Sequence, residues 1–365
     1  MDFDWPADVL ALRDEAEAFA DAATADLECL EDSWLVGYSR AVSEALGRRG
    51  WLGITWPTEF GGAGRSALHR FVLAETLIGR GVPIAASWFA DRQIGPVLMQ
   101  YGTPEQQERH LPDILAGRSS WCIGMSEPDA GSDLAAVRTR AARVGDEFVV
   151  DGQKIWTSFA ATADWCYLIC RTDPDAPAHR GMSELLVDMR SPGIEVRPIR
   201  DMTGGEHFCE VRFDAVRVPA TNLVGSLNGS FGQAMRQLEH ERGGIDRLAS
   251  NAALLRDART RLDLDDPIVR QEYAALVGGY RIGRLLVLRE TLQQAPKAFS
   301  AATKTWCTEY EQRVAAFVAN RSGSDAVLWN RVARNVCYAP AYTIMGGTTQ
   351  VLRNIIGERV LGLPR

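Results

Sequence analysis

Apolar residues recur at helical spacing in two long stretches of the chain, and a stretch with the alternation typical of strands lies between them. The first helical stretch covers residues 1–117 and is rich in Ala, Leu and Glu. Its predicted helices cover residues 7–25, 33–49 and 66–79. A further helix begins after Thr103, an N-cap residue followed by Pro104 at the first helical position and by Gln106 where a capping box requires it. This pattern predicts an all-α N-terminal domain.

The middle stretch, residues 118–225, consists of short apolar or alternating runs separated by turns that contain Pro or Gly. Examples of these runs are WCYLICR, SELLVDM and CEVRFDAVRVP. The dipeptide Asp151-Gly152, between EFVV and QKIW, predicts a β-hairpin. We expect about seven antiparallel strands that form a barrel or a sandwich.

The last stretch, residues 226–365, returns to helical spacing. Its predicted helices cover residues 230–261, 267–293 and 299–318, and a fourth follows with Ser324 or Asp325 as its N-cap. The sequence therefore predicts an α+β protein with an antiparallel β domain between two helical domains, the second of which is a four-helix bundle.

Composition excludes several classes of protein. The chain has 365 residues, 46% of them hydrophobic and 24% charged, and a net charge of −7, as in ordinary globular proteins. No basic tract indicates a nucleic-acid partner, and no run of about 18 apolar residues predicts a membrane-spanning helix. The acidic start is unlike a signal peptide, and seven cysteines without a CxxC pair indicate reduced thiols. We therefore expect a cytoplasmic protein, and the scattered histidines predict no metal site.

The segment QLEHERGGIDRL, residues 237–248, combines features that oppose each other in a helix. Gly243 and Gly244 each cost about 1 kcal/mol relative to Ala in a helix interior. On a helical projection centred on Leu238, Glu241 and Arg242 both lie beside the apolar face. One interpretation is an ion pair between helices or a charged fringe at the surface. The other is a carboxylate that faces a flat ligand, which the glycines allow to approach closely.

Five blocks, in this order and at this separation, resemble the acyl-CoA dehydrogenase family of flavoproteins. They are GWLGITWPTEFGGAG at 50–64, MSEPDAGSD at 125–133, VDGQKIWTSFAATADW at 150–165, VRVPATNLVG at 216–225 and IMGGTTQVLRNIIGERVLG at 344–362. The resemblance covers nearly the whole chain. It implies the same arrangement of an N-terminal helical domain, a β domain and a C-terminal helical bundle.

The resemblance also implies a reaction. Members of the family hold FAD and act on an acyl-CoA thioester. A carboxylate removes the α-proton, and the β-hydrogen leaves as a hydride to flavin N5, which yields a trans-2-enoyl-CoA. The electrons then usually pass to an electron-transfer flavoprotein. Because the flavin carries the hydride chemistry, the protein has to orient and polarise the substrate.

The sequence departs from the family at the place of the base. Many members carry a glutamate just before the Gly-Thr of the C-terminal block, where this chain has Gly346. A minority place the glutamate on the first long C-terminal helix, directly before an arginine, and Glu241-Arg242 matches that pattern. The resemblance therefore assigns the catalytic base to Glu241. It places Arg242, Gly243 and Ser132 beside the substrate.

Further residues match positions that hold FAD in the family. The resemblance places some at the flavin ring and others near the phosphates or the adenine. They are Met125, Ser126, Ser132, Trp156, Thr157, Ser158, Gly347, Thr348 and Gln350. Outside the family context, Trp156 would be read as barrel core and SEPDAGSD as a polar turn.

One flavin segment is altered. Many members have an Arg-x-x-Phe-Gly segment that reaches the FAD of a neighbouring subunit. Here Arg261 stands at the position of the arginine, but Leu264 and Asp265 replace Phe and Gly. Glu272 falls near the position where those members carry a later Gln. Acids beside a pyrophosphate are unfavourable unless they point away. The assembly is therefore a homotetramer, or an α2β2 heterotetramer with a second family member, an arrangement some relatives use on steroid CoA thioesters.

Two other functions remain open on the sequence alone. One is a flavin-dependent monooxygenase or oxidase on the same fold, which needs no carboxylate base. The other is a non-catalytic partner subunit of a heteromeric acyl-CoA dehydrogenase. The sequence does not choose among short, branched, long and steroid acyl groups.

Overall fold

The computed structural model describes residues 5–26, 31–235 and 244–364, apart from the side chain of residue 325. Contacts divide the chain into two compact units. The helical unit comprises Met1–Gly37, Arg65–Ile84 and Leu238–Arg365, and the sheet unit comprises Tyr38–Gly64 and Ala85–Gln237.

Helices occupy most of the described residues outside the β region. In the N-terminal part they are α1 Ala7–Thr24, α2 Ser33–Val36, α3 Arg40–Arg48, α4 Ala67–Gly79, α5 Ala85–Phe89, α6 Gly95–Tyr101 and α7 Pro104–Leu115. After the strands, α8 is described over residues 230–235. The remaining helices are α9 Asp246–Ala249, α10 Ala252–Ala258, α11 Pro267–Thr291, α12 Ser300–Arg321, α13 Arg331–Tyr338 and α14 Thr349–Ile355. Within the described ranges, no helix is long and apolar enough to cross a membrane.

The described strands form one eight-stranded sheet, so the expectation of about seven was one short. They are β1 Trp121–Gly124, β2 Arg140–Val144, β3 Glu147–Lys154, β4 Trp165–Arg171, β5 Met182–Asp188, β6 Ile194–Ile199, β7 Phe208–Pro219 and β8 Leu223–Val224. The order is β6-β7-β3-β2-β4-β5-β8, and β1 pairs with β4. Most pairs are antiparallel as predicted, but β1 and β2 both run parallel to β4.

The predicted hairpin at Asp151-Gly152 was wrong. Strand β3 runs through this dipeptide as a β-bulge against β7, and the turn between β2 and β3 lies at Gly145-Asp146 instead. Gly152 has a φ of +147°, and a Cβ there would lie 2.6 Å from Thr139 Oγ1. The Asp151 carboxylate accepts a hydrogen bond from Ala215 N at 2.9 Å, which holds the bulge. The Asp-Gly pair therefore serves close strand packing.

Strand β4 is the centre of the sheet unit. Its alternate residues Cys166, Leu168 and Cys170 pack into one apolar core with strands β3, β5 and β7. Tyr167, which points the other way, packs with Trp121 and with residues of α6 and α7 in a second core. Because both faces are covered, the strand is apolar throughout and does not alternate.

The capping box at the start of α7 was predicted correctly. Gln106 N donates to Thr103 Oγ1 at 3.3 Å, and Thr103 N donates to Gln106 Oε1 at 3.2 Å. The cap of the fourth C-terminal helix was predicted wrongly. A 3₁₀ turn covers Gly323–Ala326, and α13 begins later, where Asn330 Oδ1 accepts a hydrogen bond from Val332 N at 2.9 Å.

The predicted long helix over residues 230–261 is interrupted. Helices α9 and α10 are separated at Ser250 and Asn251. At this break Asn251 N donates to Glu311 Oε2 at 3.0 Å, and Asn251 Nδ2 donates to the Glu311 carbonyl at 3.1 Å. The buried Glu311 carboxylate on α12 thus takes the place of a backbone acceptor for Asn251 N. The periodicity of the local sequence cannot reveal this break, because the acceptor comes from another helix.

Candidate functional site

The clearest functional feature of the sheet unit is the strained turn that follows β3. Trp156 has a φ of +59°, a region that bulky residues rarely adopt, and its side chain is 55% exposed. The turn is fixed by Thr157 N, which donates to Cys209 O at 3.0 Å, and by Phe159 N, which donates to His207 O at 2.7 Å. A large aromatic ring held at the surface in a strained conformation indicates a ligand contact.

Met125 and Ser126 lie next to this turn. They follow the last residue of β1, and both are half-buried. Ile155 N donates to Ser126 O at 2.9 Å, which joins the two segments. The structure therefore places Met125, Ser126 and Trp156 on two joined segments, and their roles toward a flavin remain predictions.

A buried ion pair supports these segments from behind, and the sequence analysis missed it. Lys154 is fully buried, and its Nζ donates to Glu127 Oε1 at 2.8 Å and to Met125 O at 3.0 Å. Glu127 also accepts hydrogen bonds from Arg138 N at 2.6 Å and Thr139 N at 2.8 Å. A lysine inside an alternating strand was the available signal, since lysine is almost never buried unless it is paired.

Burial and pairing act in opposite directions on these two groups. Burial would raise the pKa of Glu127, but the charge and hydrogen bond of Lys154 outweigh it and hold that pKa below its ordinary value. Burial lowers the pKa of Lys154 against the opposing effect of Glu127. The pair therefore fixes the MSEPDAGSD segment by a charge-assisted contact in the interior.

Thr157 and Ser158 complete the turn. Thr157 is fully buried, and its Oγ1 has no hydrogen-bond partner among the described residues. This hydroxyl has no accessible surface, so it faces the protein interior. Ser158 is half-buried. Ser132 lies on the exposed loop between β1 and β2, close in sequence to the anchored Glu127.

The C-terminal candidates lie in the helical unit. Gly346 and Gly347 have φ values of +66° and +98°, which favour glycine. The fully buried Lys304 donates from Nζ to Gly347 O at 3.0 Å. Thr348 is the N-cap of α14, where its Oγ1 accepts a hydrogen bond from Val351 N at 3.3 Å, and Gln350 is exposed. These contacts fix the backbone of the segment, whose predicted role toward FAD stays a prediction.

Arg261 lies at the end of a short 3₁₀ turn, Arg259–Arg261, and is exposed. With Arg321 and Arg331 it lines a cavity of about 280 Å³ between the ends of α10, α12 and α13. Asp257 lines the same cavity, and its carboxylate pairs with Arg331 at 2.7 Å. Arg321 and Arg331 form ion pairs, Arg321 with Glu272 at 2.5 Å and Arg331 with Glu31 at 2.5 Å.

The acids beside Arg261 have local structural roles. Asp266 is the N-cap of α11, where its Oδ1 accepts a hydrogen bond from Ile268 N at 2.8 Å. Asp263 accepts a hydrogen bond from Asp265 N at 3.1 Å, and both side chains belong to exposed residues. Of these acids, Asp266 serves the start of α11.

The predicted base and its neighbours, Glu241, Arg242 and Gly243, lie outside the described residues. The residues that follow them are tightly packed. Asp246 and Arg247 are buried, with 3.5 Å between Asp246 Oδ2 and Arg247 Nε. The Arg247 guanidinium lies 5.0 Å from the centre of the Trp34 ring.

A second set of buried polar groups surrounds the break between α9 and α10. Asn251 Oδ1 accepts hydrogen bonds from Asn335 Nδ2 at 2.7 Å and from the Tyr342 hydroxyl at 3.2 Å, and that hydroxyl also donates to Asp32. Burial raises the pKa of Glu311 well above its ordinary value, and the nearby charge of Asp32 adds to this. The sequence analysis missed this cluster because its members are far apart in the chain.

Comparison with known proteins identifies three consecutive domains. The N-terminal, middle and C-terminal domain models of the acyl-CoA dehydrogenases match residues 6–118, 122–216 and 228–361. The chain is 36% identical over 350 residues to the acyl-CoA dehydrogenase IpdE1 of Mycolicibacterium smegmatis, with 89% of this chain and 88% of that protein covered.

Two solved structures are similar over the whole chain. One is described as the Tcur3481-Tcur3483 steroid ACAD, with a TM-score of 0.91, 35% identity and full coverage of both chains. The other is the ChsE4-ChsE5 complex from Mycobacterium tuberculosis, with a TM-score of 0.89, 32% identity and the same coverage. These findings confirm the predicted order of helical, β and helical domains. The chain belongs to the acyl-CoA dehydrogenase family and is an oxidoreductase of that class.

Proposed function

We propose that the chain catalyses α,β-dehydrogenation of an acyl-CoA thioester to the trans-2-enoyl-CoA, with Glu241 as the base that removes the α-proton. The observation that carries this proposal is the backbone at Gly346. Its φ of +66° lies in the left-handed region, where a glutamate would be strained. The chain is therefore built without a base at the position that many relatives use.

Other acids of the C-terminal part have structural partners, which supports Glu241 as the base. Glu272 pairs with Arg321, and Glu309 pairs with Arg353 at 2.6 Å. Glu311 holds the amide of Asn251 in the interior. An α-proton of a thioester is weakly acidic, so the base has to be positioned beside it with its pKa tuned toward the working pH.

The described residues fit FAD as the cofactor. The exposed ring of Trp156 would cover one face of the flavin, Ser158 would bond near N5, and the segment of Met125 and Ser126 would meet the pyrimidine edge. FAD, when bound, accepts the hydride from the β-carbon at N5. The protein's own part is to orient the thioester, exclude water and hold the proton on the Glu241 carboxylate.

The test of the base is the Glu241→Gln variant, with Glu239→Gln as the matched control two residues earlier. We expect turnover with an acyl-CoA and an artificial electron acceptor to fall about 10²–10⁴-fold in Glu241→Gln only, because general-base catalysis contributes that much. Flavin content and thermal stability should stay unchanged in both. Full activity in Glu241→Gln would show that another group removes the proton.

We further infer that the electrons pass to an electron-transfer flavoprotein. Oxygen consumption that matches product formation would contradict this and favour an oxidase or monooxygenase. The names of the similar structures support a steroid-derived acyl group and a two-chain assembly. The acids around Arg261, which replace the usual flavin-binding pattern, support an α2β2 heterotetramer with a second family member.

Flavin content decides between the two assemblies. The chain is purified alone, its mass is measured by light scattering, and FAD per chain is read from visible absorbance. A heteromeric chain should hold little flavin until a second family member is added. About one FAD per chain in a homotetramer would show that the chain completes its own site.

A further inference from the structure

The peptide group between Met125 and Ser126 is held by consecutive residues at the end of strand β3. The Lys154 ammonium donates to Met125 O at 3.0 Å, and Ile155 N donates to Ser126 O at 2.9 Å. The next residue is Trp156, whose ring is exposed at the surface. These three residues therefore fix the orientation of the peptide before any ligand binds, which is the property that electrostatic stabilisation requires.

The direction of this peptide follows from its geometry. It is trans, since the described residues contain no cis peptide bond. In a trans peptide the N–H points opposite to the C=O, so Ser126 N–H points away from the atom that Met125 O accepts from. That atom belongs to the fully buried Lys154, whereas Met125 and Ser126 are half-buried. The Ser126 amide hydrogen is therefore directed away from the buried ammonium.

The ammonium presents the positive end of an ion pair to this peptide. Lys154 Nζ stands between two oxygens, Met125 O at 3.0 Å and Glu127 Oε1 at 2.8 Å. Cys170 lies close to the ammonium, and burial raises the pKa of its thiol to about 12, so the thiol is neutral. In such an interior the effective dielectric constant is low, and a cation polarises the peptide that it contacts more strongly than it would in water.

Stability alone is a weak reason for this pair. The cost of burying two charges often offsets their attraction, and apolar residues of similar volume frequently serve as well. Glu127 also accepts hydrogen bonds from Arg138 N at 2.6 Å and Thr139 N at 2.8 Å, which hold the loop without the lysine. The contact that distinguishes Lys154 is therefore the one to the Met125 carbonyl.

We propose that Lys154 is a positioning residue that raises the reduction potential of the bound flavin by orienting and polarising the Met125–Ser126 peptide. The inference rests on the proposed function, which places this peptide at the pyrimidine edge of FAD. The reduced flavin ring carries negative charge along that edge, and a donor polarised by a cation stabilises such charge better than a neutral donor does. Hydrogen bonds and charge at the flavin ring are the means by which a protein tunes its electronics.

The reduction potential of the FAD-loaded protein tests the inference. The protein is reduced stepwise beside a reference dye, in complex with a second family member if FAD binding requires one. The variant is Lys154→Met combined with Glu127→Gln, which leaves no unpaired buried carboxylate and keeps the net charge. We expect its ratio of affinities for reduced and oxidised FAD to be about tenfold lower than in the wild type, a fall of about 30 mV for a two-electron couple.

Arg171→Met is the matched control. The Arg171 guanidinium is half-buried and donates to Ala135 O at 2.7 Å and to Val137 O at 3.0 Å, so it holds the same loop at other peptides. Its loss should lower the melting temperature and leave the potential unchanged.

The outcomes separate this inference from the proposed function. A wild-type potential in the double variant would overturn the inference while FAD remains the cofactor. Equal weakening of the affinities for oxidised and reduced FAD also leaves the potential unchanged and counts in the same way. An equal fall in Arg171→Met would show that loosening of the loop lowers the potential, which would also overturn the role of Lys154. A wild-type protein that binds no FAD, alone or with a partner, would instead refute the proposed function, and this inference with it.

Discussion

Asp32 offers the sharpest test of the buried polar cluster in the helical unit. It is 1% exposed and accepts a hydrogen bond from the Tyr342 hydroxyl, while its Oδ2 has no partner among the described residues. Burial raises its pKa from 3.8 to about 7, against the opposing hydrogen bond from Tyr342 and with a further push from the charge of Glu31. The carboxyl group is therefore neutral in the folded protein at pH values where it would ionise in the unfolded chain.

The sign of the effect on stability follows from this difference. Between pH 3.8 and about 7 the folded state binds the proton that the unfolded state has released. The free energy of unfolding therefore falls as the pH rises through this window, and it levels off above the folded-state pKa. At about 1.4 kcal/mol per pH unit, the whole loss is about 4 kcal/mol. Between pH 5 and pH 8 it is about 2–3 kcal/mol.

The Asp32→Asn variant removes the titration and keeps the shape. Its Oδ1 still accepts from Tyr342, and asparagine tolerates the left-handed φ of +63° at this position. Urea unfolding gives the free energy of unfolding at pH 5 and at pH 8. The drop between these two values should be about 2–3 kcal/mol smaller in Asp32→Asn than in the wild type. Asp14→Asn, at a side chain 71% exposed, is the control and should keep the wild-type difference.

A wild-type pH dependence in Asp32→Asn would refute the reasoning, because it would mean that Asp32 does not hold a proton in the fold. Glu311 also has a raised pKa and contributes a slope of the same sign. The charge of Asp32 adds to the raised pKa of Glu311, so Asp32→Asn removes the titration of Asp32 together with that part of the Glu311 slope.

Further predictions concern the site. Lys154→Met should lower the free energy of unfolding by about 3–5 kcal/mol because it leaves Glu127 buried and unpaired. Adding Glu127→Gln should recover part of the lost free energy. Urea unfolding of the single and the double variant tells whether the pair matters. Trp156→Gly should keep or raise the melting temperature, because it relieves the strained φ of +59°, yet lower the flavin content; unchanged FAD would contradict the role of the ring. Gly346→Glu added to Glu241→Gln should not restore turnover, since a glutamate is strained at a φ of +66°.

Local signals in the sequence predicted local structure well. The capping box of Thr103 and Gln106 needs only four neighbouring residues, and both of its hydrogen bonds are present. The Asp151-Gly152 pair was misread because a bulge and a hairpin use the same residues, and the choice depends on Thr139 and Ala215 in other strands. For the candidate site, family motifs singled out Met125, Ser126 and Trp156, which lie on two hydrogen-bonded segments, and their roles toward a flavin stay predictions. The Lys154–Glu127 pair beneath them was missed.

The sequence by itself determined the order of helical, β and helical domains, since hydrophobic periodicity reports on which faces are buried. It also determined the family, through motifs that lie in continuous segments. Only the tertiary structure decided where the long C-terminal helix breaks and how its polar groups are satisfied. Asp32, Asn251, Glu311 and Tyr342 meet in the interior although up to 310 residues separate them. The physical reason is that a buried polar group takes whichever partner the packing brings near, and sequence distance carries no information about that partner.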